Sequence, residues 1–138
     1  MFTSVESLLH AAEAGDKPLW EVILEDDMAD RSVEREASWK KMTGLWHAMQ
    51  AAEADYDPAR RSASGLVGGE GGRMAEDEAS LCSPFLQDII TTALKMGECN
   101  ACMRRIVAAP TAGACGVLPA VLPPMQRRYH FAEEQMVQ

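Results

Sequence analysis

Apolar residues recur along much of the chain at the three- and four-residue steps of amphipathic helices. The clearest case follows Ser83 and Pro84, a residue pair typical of a helix N-cap and first helical position, and Gly97 is expected to end that helix. Its apolar positions are Phe85, Leu86, Ile89, Ile90, Ala93 and Leu94. No segment shows the alternation of a half-buried strand, so we predict an all-α chain.

Three helices are predicted before this one. The first begins at a capping-box pattern in residues 3–6 and ends at Gly15, and the second has Pro18 in its first turn. The third is expected to begin near Ser32 and to run to about Ala54. The side chains expected to face inward are Val5, Leu8, Leu9, Leu19, Val22, Ile23, Met42, Leu45, Trp46, Met49 and Ala52.

Residues 106–125 form an uncharged run in which Cys115 is the one ionisable side chain. Such a run must be buried in protein or in lipid. Its prolines, at positions 110, 119, 123 and 124, resist an uninterrupted helix and would leave carbonyl groups unpaired in a bilayer, so burial in protein is favoured. Pro110 and Thr111 indicate a turn that leads into a helix, with Thr111 as its N-cap. A short helix is also predicted over residues 98–105.

Five of the chain's 10 glycines lie between residues 65 and 72. The backbone there can adopt positive φ and turn successive N–H groups toward an oxyanion. A flexible surface linker and a phosphate-binding loop are the alternatives. A P-loop requires a Gly-Lys-Ser/Thr ending and a dinucleotide fingerprint requires a preceding strand, and the sequence has neither.

The composition narrows the class of protein. With 138 residues and 47% hydrophobic residues, the chain is long enough for one domain or part of one. A net charge of -8 argues against a nucleic-acid partner, which would require a basic face. The N-terminus lacks the basic region of a signal or transit peptide, which indicates a cytoplasmic protein.

Cys99 and Cys102 have a spacing that also occurs in metal and redox sites. A structural zinc or an iron-sulfur cluster needs three or four ligands, and the spacings of Cys82 and Cys115 match no standard pattern. We therefore interpret all four cysteines as ordinary reduced thiols. The three histidines are isolated from one another, so the sequence predicts no histidine-based metal site.

Residues 105–113, RIVAAPTAG, and the following 116–119 resemble a motif in the alpha part of iron-sulfur-dependent L-serine dehydratase. Residues 62–70, SASGLVGGE, are similar to that family's S-x-T-G-x-x-G-G-D loop, with Ser64 at the threonine position. Two further similar segments, in the same order along the chain, are residues 83–84 and 100–103. The resemblance covers nearly the whole chain but only about the first half of the family's alpha region.

The resemblance implies that residues 1–138 are the N-terminal part of a serine dehydratase alpha-type domain. The chain ends within about two turns of a last helix beginning at Phe131, which we interpret as truncation. The family converts L-serine to pyruvate and ammonia with a 4Fe-4S cluster as Lewis acid, and the resemblance implies that the cluster ligands lie outside this chain. The implied partners are L-serine, the C-terminal alpha region and a beta domain; a homo-oligomer is also open, and no nucleic-acid or membrane partner is expected.

On this resemblance, we hypothesise that backbone N–H groups and hydroxyls of this chain bind the substrate carboxylate. The residues assigned to that role are Ser64, Gly65, Gly68, Gly69, Thr111, Ala112 and Gly113. The general base is not identified by the sequence. The chain is expected to be inactive alone, and the alternative function is a catalytically silent helical interaction module or gene remnant.

Overall fold

The structure, a computed structural model, describes residues 2–109, 111 and 116–138. Over these residues the regular structure is helical and no strand occurs, which confirms the all-α prediction. The helices are α1 (Val5–Gly15), α2 (Leu19–Arg31), α3 (Arg35–Ala54), α4 (Glu70–Glu76), α5 (Pro84–Ala101), α6 (Val117–Tyr129) and α7 (Glu133–Val137). The chain divides into two compact units, one reaching to Gly44 and including residues 137–138, the other comprising residues 45–136.

In the first unit, α1 begins at a capping box that is shifted by one residue from its predicted place. The Ser4 hydroxyl accepts from the Ser7 N–H at 3.1 Å, and the Ser7 hydroxyl accepts from the Ser4 N–H at 3.3 Å. Ala12 is buried against α2, but Val5 is 72% exposed and Leu9 45% exposed, so their predicted inward orientation is wrong. A helix pair of this kind buries only a narrow stripe of each partner.

The second helix ends at Ser32, whose left-handed φ of 52° turns the chain. For this reason α3, which was predicted to begin near Ser32, begins at Arg35. Val22 is buried, as expected, whereas Leu19 and Ile23 are about half exposed, at 44% and 51%, and were wrongly expected inside. Side-chain contacts complete the first unit: the Asp27 carboxylate accepts from the Ser38 hydroxyl and from Arg31.

The predicted apolar stripe of α3 is confirmed toward its C-terminal end, which belongs to the second unit. Trp46, Met49 and Ala52 are buried there, while Met42 and Leu45 are exposed and were wrongly placed in the core. The three- and four-residue spacing of the apolar side chains therefore identified the buried face of α3. It did not indicate over what length of the helix that face is buried.

In the second unit, α5 packs between α4 and α6. Ser83 caps α5 as predicted, accepting from the Leu86 N–H at 3.3 Å. Gly97 does not end the helix, since one exposed glycine costs a helix only about 1 kcal/mol, so α5 continues to Ala101 and replaces the separate helix predicted over residues 98–105.

The buried face of α5 also differs from the predicted apolar stripe. It comprises Thr91, Thr92, Met96, Glu98 and Cys99. The predicted inward residues Phe85, Leu86, Ile89, Ile90, Ala93 and Leu94 are half-buried or exposed. The directions from which α4 and α6 approach set the buried arc, and hydrophobic character alone does not reveal those directions.

The sixth helix continues through Pro123 and Pro124, contrary to the expectation that these prolines interrupt it. Both prolines are buried. Gly116 is the N-cap of this helix, so Thr111 is not, although the sequence predicted that role for it. Pro110 and residues 112–115 lie outside the described residues. In the described part of the chain, every helix is too short or too polar to cross a lipid bilayer.

Candidate functional site

The glycine loop, residues 62–70, is closed by hydrogen bonds between its own residues. The Ser62 N–H donates to the Val67 carbonyl at 2.9 Å, and the Gly65 N–H donates to the Ser62 carbonyl at 2.8 Å. Gly65 has a positive φ of 74°. The Ser64 hydroxyl lies 3.1 Å from the Ser62 hydroxyl and accepts from the Leu66 N–H at 3.4 Å. The loop therefore presents an exposed Ser64 on a folded turn.

Gly68 and Gly69 occupy positions where other residues do not fit. Their φ values of 141° and 84° lie in the region that glycine adopts readily. A Cβ on Gly68 would overlap the carbonyl oxygen of Arg60, and one on Gly69 would lie 2.9 Å from the Arg61 guanidinium. Arg61 in turn donates to the Pro58 carbonyl at 2.9 Å. This glycine pair thus allows the loop to pack closely against residues 58–61.

The helix α4 begins directly after Gly69 and was not predicted from the sequence. Glu70-Gly71-Gly72 is a poor helix start by propensity, because glycine is about 1 kcal/mol less favourable than alanine. Contacts from elsewhere in the chain stabilise it: the Glu70 N–H donates to Glu98 Oε1 at 2.6 Å, and the Gly71 N–H to Glu98 Oε2 at 3.4 Å. The Gly72 N–H donates to the Tyr56 hydroxyl at 3.0 Å.

Glu98, which accepts the bonds from Glu70 and Gly71, is a buried carboxylate on α5 with 5% of its surface exposed. The Tyr56 hydroxyl donates to its Oε2 atom at 2.5 Å. Burial of Tyr56, together with this hydrogen bond, raises the pKa of Tyr56 to about 12, so the phenol stays protonated at neutral pH. A carboxylate against the first N–H groups of α4 also complements the positive end of the helix dipole.

Two further glycines allow α4 to lie this close to its neighbours. A Cβ on Gly71 would lie 2.9 Å from Lys95 Cγ, and one on Gly72 would lie 2.8 Å from Pro58 Cβ. The glycine content led us to expect successive N–H groups facing an oxyanion. In the structure, the N–H groups of Glu70 and Gly71 face one, and it is the carboxylate of Glu98 from the same chain.

Tyr56 also lies in the wall of an open cavity of about 550 Å³. Lys95 is part of the same wall, and its ammonium nitrogen is 5.8 Å from the centre of the Tyr56 ring. The other residues of the wall are Gln50, Glu53, Ala54, Pro123, Gln126 and Arg127. Tyr56 also lines a second cavity of about 10 Å³, which has room for about one water and is lined in part by Glu98. Tyr56 therefore connects the buried carboxylate to a space that a small molecule can enter.

The structure brings four of the seven predicted site residues together. Ser64, Gly65, Gly68 and Gly69 share the glycine loop, and Gly69 is the N-cap of α4. Thr111 is exposed and lies on the separate segment before α6. Ala112 and Gly113 lie outside the described residues. Sequence analysis missed Glu98 and Tyr56, because the burial of residues 96, 98 and 99 on one continuous α5 is a property of the fold.

The three described cysteines do not form a cluster of ligands. Cys99 is 4% exposed, its thiol donates to the Ala52 carbonyl at 3.7 Å, and burial raises its pKa, so it stays protonated at neutral pH. Cys102 is buried at the end of α5, and Cys82 is half-buried. Among the residues that the structure describes, no three His, Cys, Asp or Glu side chains are placed to hold a metal ion together.

The comparisons with known proteins indicate a single family. A family model described as "Serine dehydratase alpha chain" matches residues 14–138. The chain is 27% identical over 140 residues to the probable L-serine dehydratase, alpha chain, of Bacillus subtilis (strain 168), covering 99% of this chain and 47% of the relative. It is 25% identical over 135 residues to the L-serine dehydratase, alpha chain, of Peptoniphilus asaccharolyticus, covering 95% and 46%. The chain thus spans about half the length of these curated relatives, and no solved structure matches it.

Proposed function

Because this chain belongs to the serine dehydratase alpha chain family, we propose that it is the N-terminal part of an enzyme that converts L-serine to pyruvate and ammonia. The observation that carries the proposal is the family match over residues 14–138, which includes the whole glycine loop. The geometry supports it, since Gly68 and Gly69 hold that loop in one conformation against residues 58–61. A preformed loop of this kind suits a substrate-binding role.

In the proposed reaction, serine loses its Cα proton and its hydroxyl group, which leave together as water. The aminoacrylate that remains tautomerises to an imine, and hydrolysis of the imine gives pyruvate and ammonia. The described residues of this chain would act on the carboxylate end of the substrate. Neutralising and orienting that carboxylate would hold the Cα–H bond in place for the general base, a role that we assign to no residue of this chain.

The seven candidate residues would contribute in different ways. Ser64 and Thr111 are exposed residues, and a hydroxyl group can donate to a carboxylate oxygen. Gly65 shapes the turn, because its own N–H is bonded to the Ser62 carbonyl. Gly68 and Gly69 set the direction of the backbone that approaches the substrate. Ala112 and Gly113 would complete the pocket from the segment of Thr111.

The family resemblance also implies a 4Fe-4S cluster, and the described residues of this chain do not fit its ligand set. A cluster ligand is a thiolate, whereas the Cys99 thiol is protonated, buried and hydrogen-bonded to the Ala52 carbonyl. We propose, as the family resemblance implies, that the cluster ligands lie on polypeptide outside this chain, and we derive no catalytic step from the described thiols. The proposed partners are the remaining alpha region and a beta domain, and the chain alone is proposed to be inactive.

Complementation under anaerobic conditions tests this proposal. The 138-residue chain is expressed alone and together with the C-terminal half of the Bacillus subtilis relative, supplemented by a beta chain, and iron content and pyruvate formation from L-serine are measured. We expect iron and pyruvate only in the assembled protein. An assembled, iron-containing protein that makes no pyruvate, or a lone chain that binds a cluster through its own thiols, would overturn the proposal.

Substitution of the candidate hydroxyls tests the site within the same assembly. Ser64→Ala and Thr111→Val are each expected to raise KM for serine by about tenfold, the effect of losing about 1.4 kcal/mol of binding. Thr43→Val is the matched control, because the Thr43 hydroxyl donates to the Trp39 carbonyl within α3 and Thr43 is not among the candidate site residues. If KM and turnover stay at the control values for both variants, the site assignment is wrong.

The second candidate function is a catalytically silent helical interaction module. Three large apolar side chains of the second unit favour it, since Leu66 is 88% exposed, Leu81 103% and Met103 91%. This function requires such side chains to form one contiguous apolar patch, the kind of surface that binds another chain. Stable association with the C-terminal half of a relative, without pyruvate formation at full iron content, would support this function over the first.

A further inference from the structure

We propose that Glu98 and Tyr56 are positioning residues for the glycine loop: they hold α4 by its N-terminus and so fix the loop that leads into it. The anchoring itself depends only on the structure of this chain. Its consequence for serine binding rests on the proposed function. Neither residue was among the candidates from the sequence, because neither lies in the motifs that carry the family resemblance.

The first three backbone N–H groups of α4 all donate to side chains from elsewhere in the chain. The opening N–H groups of a helix have no partner within the helix and need one from elsewhere. Here Glu98 accepts from Glu70 at 2.6 Å and from Gly71 at 3.4 Å, and Tyr56 accepts from Gly72 at 3.0 Å. Two side chains from other parts of the second unit therefore meet the needs of the first three residues of α4.

The helix α4 is too short to hold this position by itself. It has seven residues, two of them glycine in its first turn, and isolated helices of that length are not stable in water. Its location is therefore set by contacts with other elements, and α5, which carries Glu98, is its principal neighbour. Removing the Glu98 carboxylate removes two of the three acceptors at its start.

The hydrogen bonds at the start of α4 also hold the end of the glycine loop, which leads directly into this helix. Gly69 is the N-cap of α4 and is joined to Glu70 by one peptide bond, so fixing the Glu70 N–H fixes the adjoining peptide unit. The other end of the loop is held by the bond between the Ser62 N–H and the Val67 carbonyl. Gly68 and Gly69 lie between these two fixed points. Loss of the Glu98 carboxylate would release the fixed point at the Glu70 N–H.

Tyr56 stabilises the anchor from its other side. Its hydroxyl accepts from Gly72 and donates to Glu98 at 2.5 Å, so it joins the third residue of α4 to the carboxylate that holds the first two. A phenylalanine at this position would keep the ring but lose both bonds. Tyr56→Phe and Glu98→Gln therefore test the same anchor through two different atoms.

Amide hydrogen exchange in the full 138-residue chain measures the anchor directly. We expect Glu98→Gln and Tyr56→Phe to speed exchange at residues 70–72 by about tenfold or more relative to amides of α6. Glu53→Gln is the matched control, since Glu53 is a poorly exposed carboxylate of the same unit that accepts from Arg127. If exchange at residues 70–72 is no faster in Glu98→Gln than in Glu53→Gln, the anchor is disproved.

Kinetics of the assembled enzyme then separate positioning from simple loss of stability. We expect Glu98→Gln to raise KM for serine by about tenfold at constant iron content and with a smaller change in kcat, which general unfolding would not produce. Faster exchange with an unchanged KM would overturn the positioning role. If the wild-type assembly makes no pyruvate, the proposed function fails, and the exchange experiment alone then supports or overturns the anchor.

Discussion

Gly116 lies directly against the side chain of Met96: a Cβ on Gly116 would be 3.2 Å from Met96 Cβ. Met96 is 1% exposed on α5, and Gly116 is the N-cap of α6 with a φ of 96°. A side chain at Gly116 would therefore meet both a strained backbone and a neighbour enclosed by the core. This contact sets where α6 begins along α5, directly after the segment that carries the proline-threonine motif.

We expect Gly116→Ala to lower the free energy of unfolding by about 1–3 kcal/mol, through the positive φ and the contact with Met96. The measurement is urea denaturation followed by circular dichroism. Gly97→Ala is the control, because Gly97 lies in α5 with no atom near its Cβ position, and alanine there should stabilise by up to about 1 kcal/mol. Equal effects of the two substitutions would contradict this account of Gly116.

The hydroxyl of Tyr56 gives a prediction about pH. Burial and the hydrogen bond to Glu98 raise its pKa to about 12 from its ordinary value of 10.0, so the folded state favours the neutral phenol. The stabilisation of the folded state by the neutral Tyr56 phenol is fully present below about pH 10 and is lost as the pH rises toward 12. The difference in tyrosinate absorbance between the wild type and Tyr56→Phe isolates the group. A midpoint near 10 in the folded protein would show that the phenol is not held as described.

Local sequence chemistry predicted those features that depend on residues close together in the chain. Ser83 and Pro84 define the start of α5 because an N-cap hydroxyl and a first-position proline act within one turn. Trp46, Met49 and Ala52 were placed correctly because a helical repeat marks one face of α3. The all-helical class followed from the same repeat. Each of these predictions used only the periodicity or capping chemistry of a single element.

Features that depend on distant residues were missed. The helix α4 is stabilised by Glu98, which lies 28 residues from Glu70 in the sequence, and no local propensity reveals that contact. For the same reason α5 was expected to bury leucine and isoleucine side chains, whereas Thr92 and Met96 are its most enclosed residues. The glycine loop was recognised as a candidate site, but the carboxylate that anchors its helix could not be found without the fold.

The Cys99 thiol should be unreactive in the folded protein. Burial raises its pKa and its hydrogen is donated to the Ala52 carbonyl, whereas alkylating reagents attack exposed thiolates. With iodoacetamide at neutral pH, we expect Cys99 to be modified at least about tenfold more slowly than half-buried Cys82, as measured by mass spectrometry of peptides. Denatured protein is the control, in which both sites should react alike. Comparable rates in the folded state would contradict the burial of Cys99.

Arg127 should be a main electrostatic link of the second unit. It donates to Glu53 on α3 at 2.9 Å and to Asp88 on α5 at 2.9 Å. Burial alone would lower its pKa, but the hydrogen bonds to Glu53 and Asp88 raise it, so the guanidinium stays charged at every accessible pH. One side chain of α6 thus joins two other helices.

We expect Arg127→Ala to lower the free energy of unfolding by about 1–2 kcal/mol, measured by urea denaturation. The loss exceeds that of an ordinary surface pair because the Glu53 side chain, only 14% exposed, would lose its Arg127 partner. Arg127→Lys should restore only part of the loss, since an ammonium group cannot bridge two carboxylates as a guanidinium does. Arg128→Ala is the matched control, because Arg128 is exposed like Arg127 but stacks on the Tyr129 ring and, among the described residues, forms no ion pair. A loss from Arg128→Ala as large as that from Arg127→Ala would show that the bridge does not hold the three helices together.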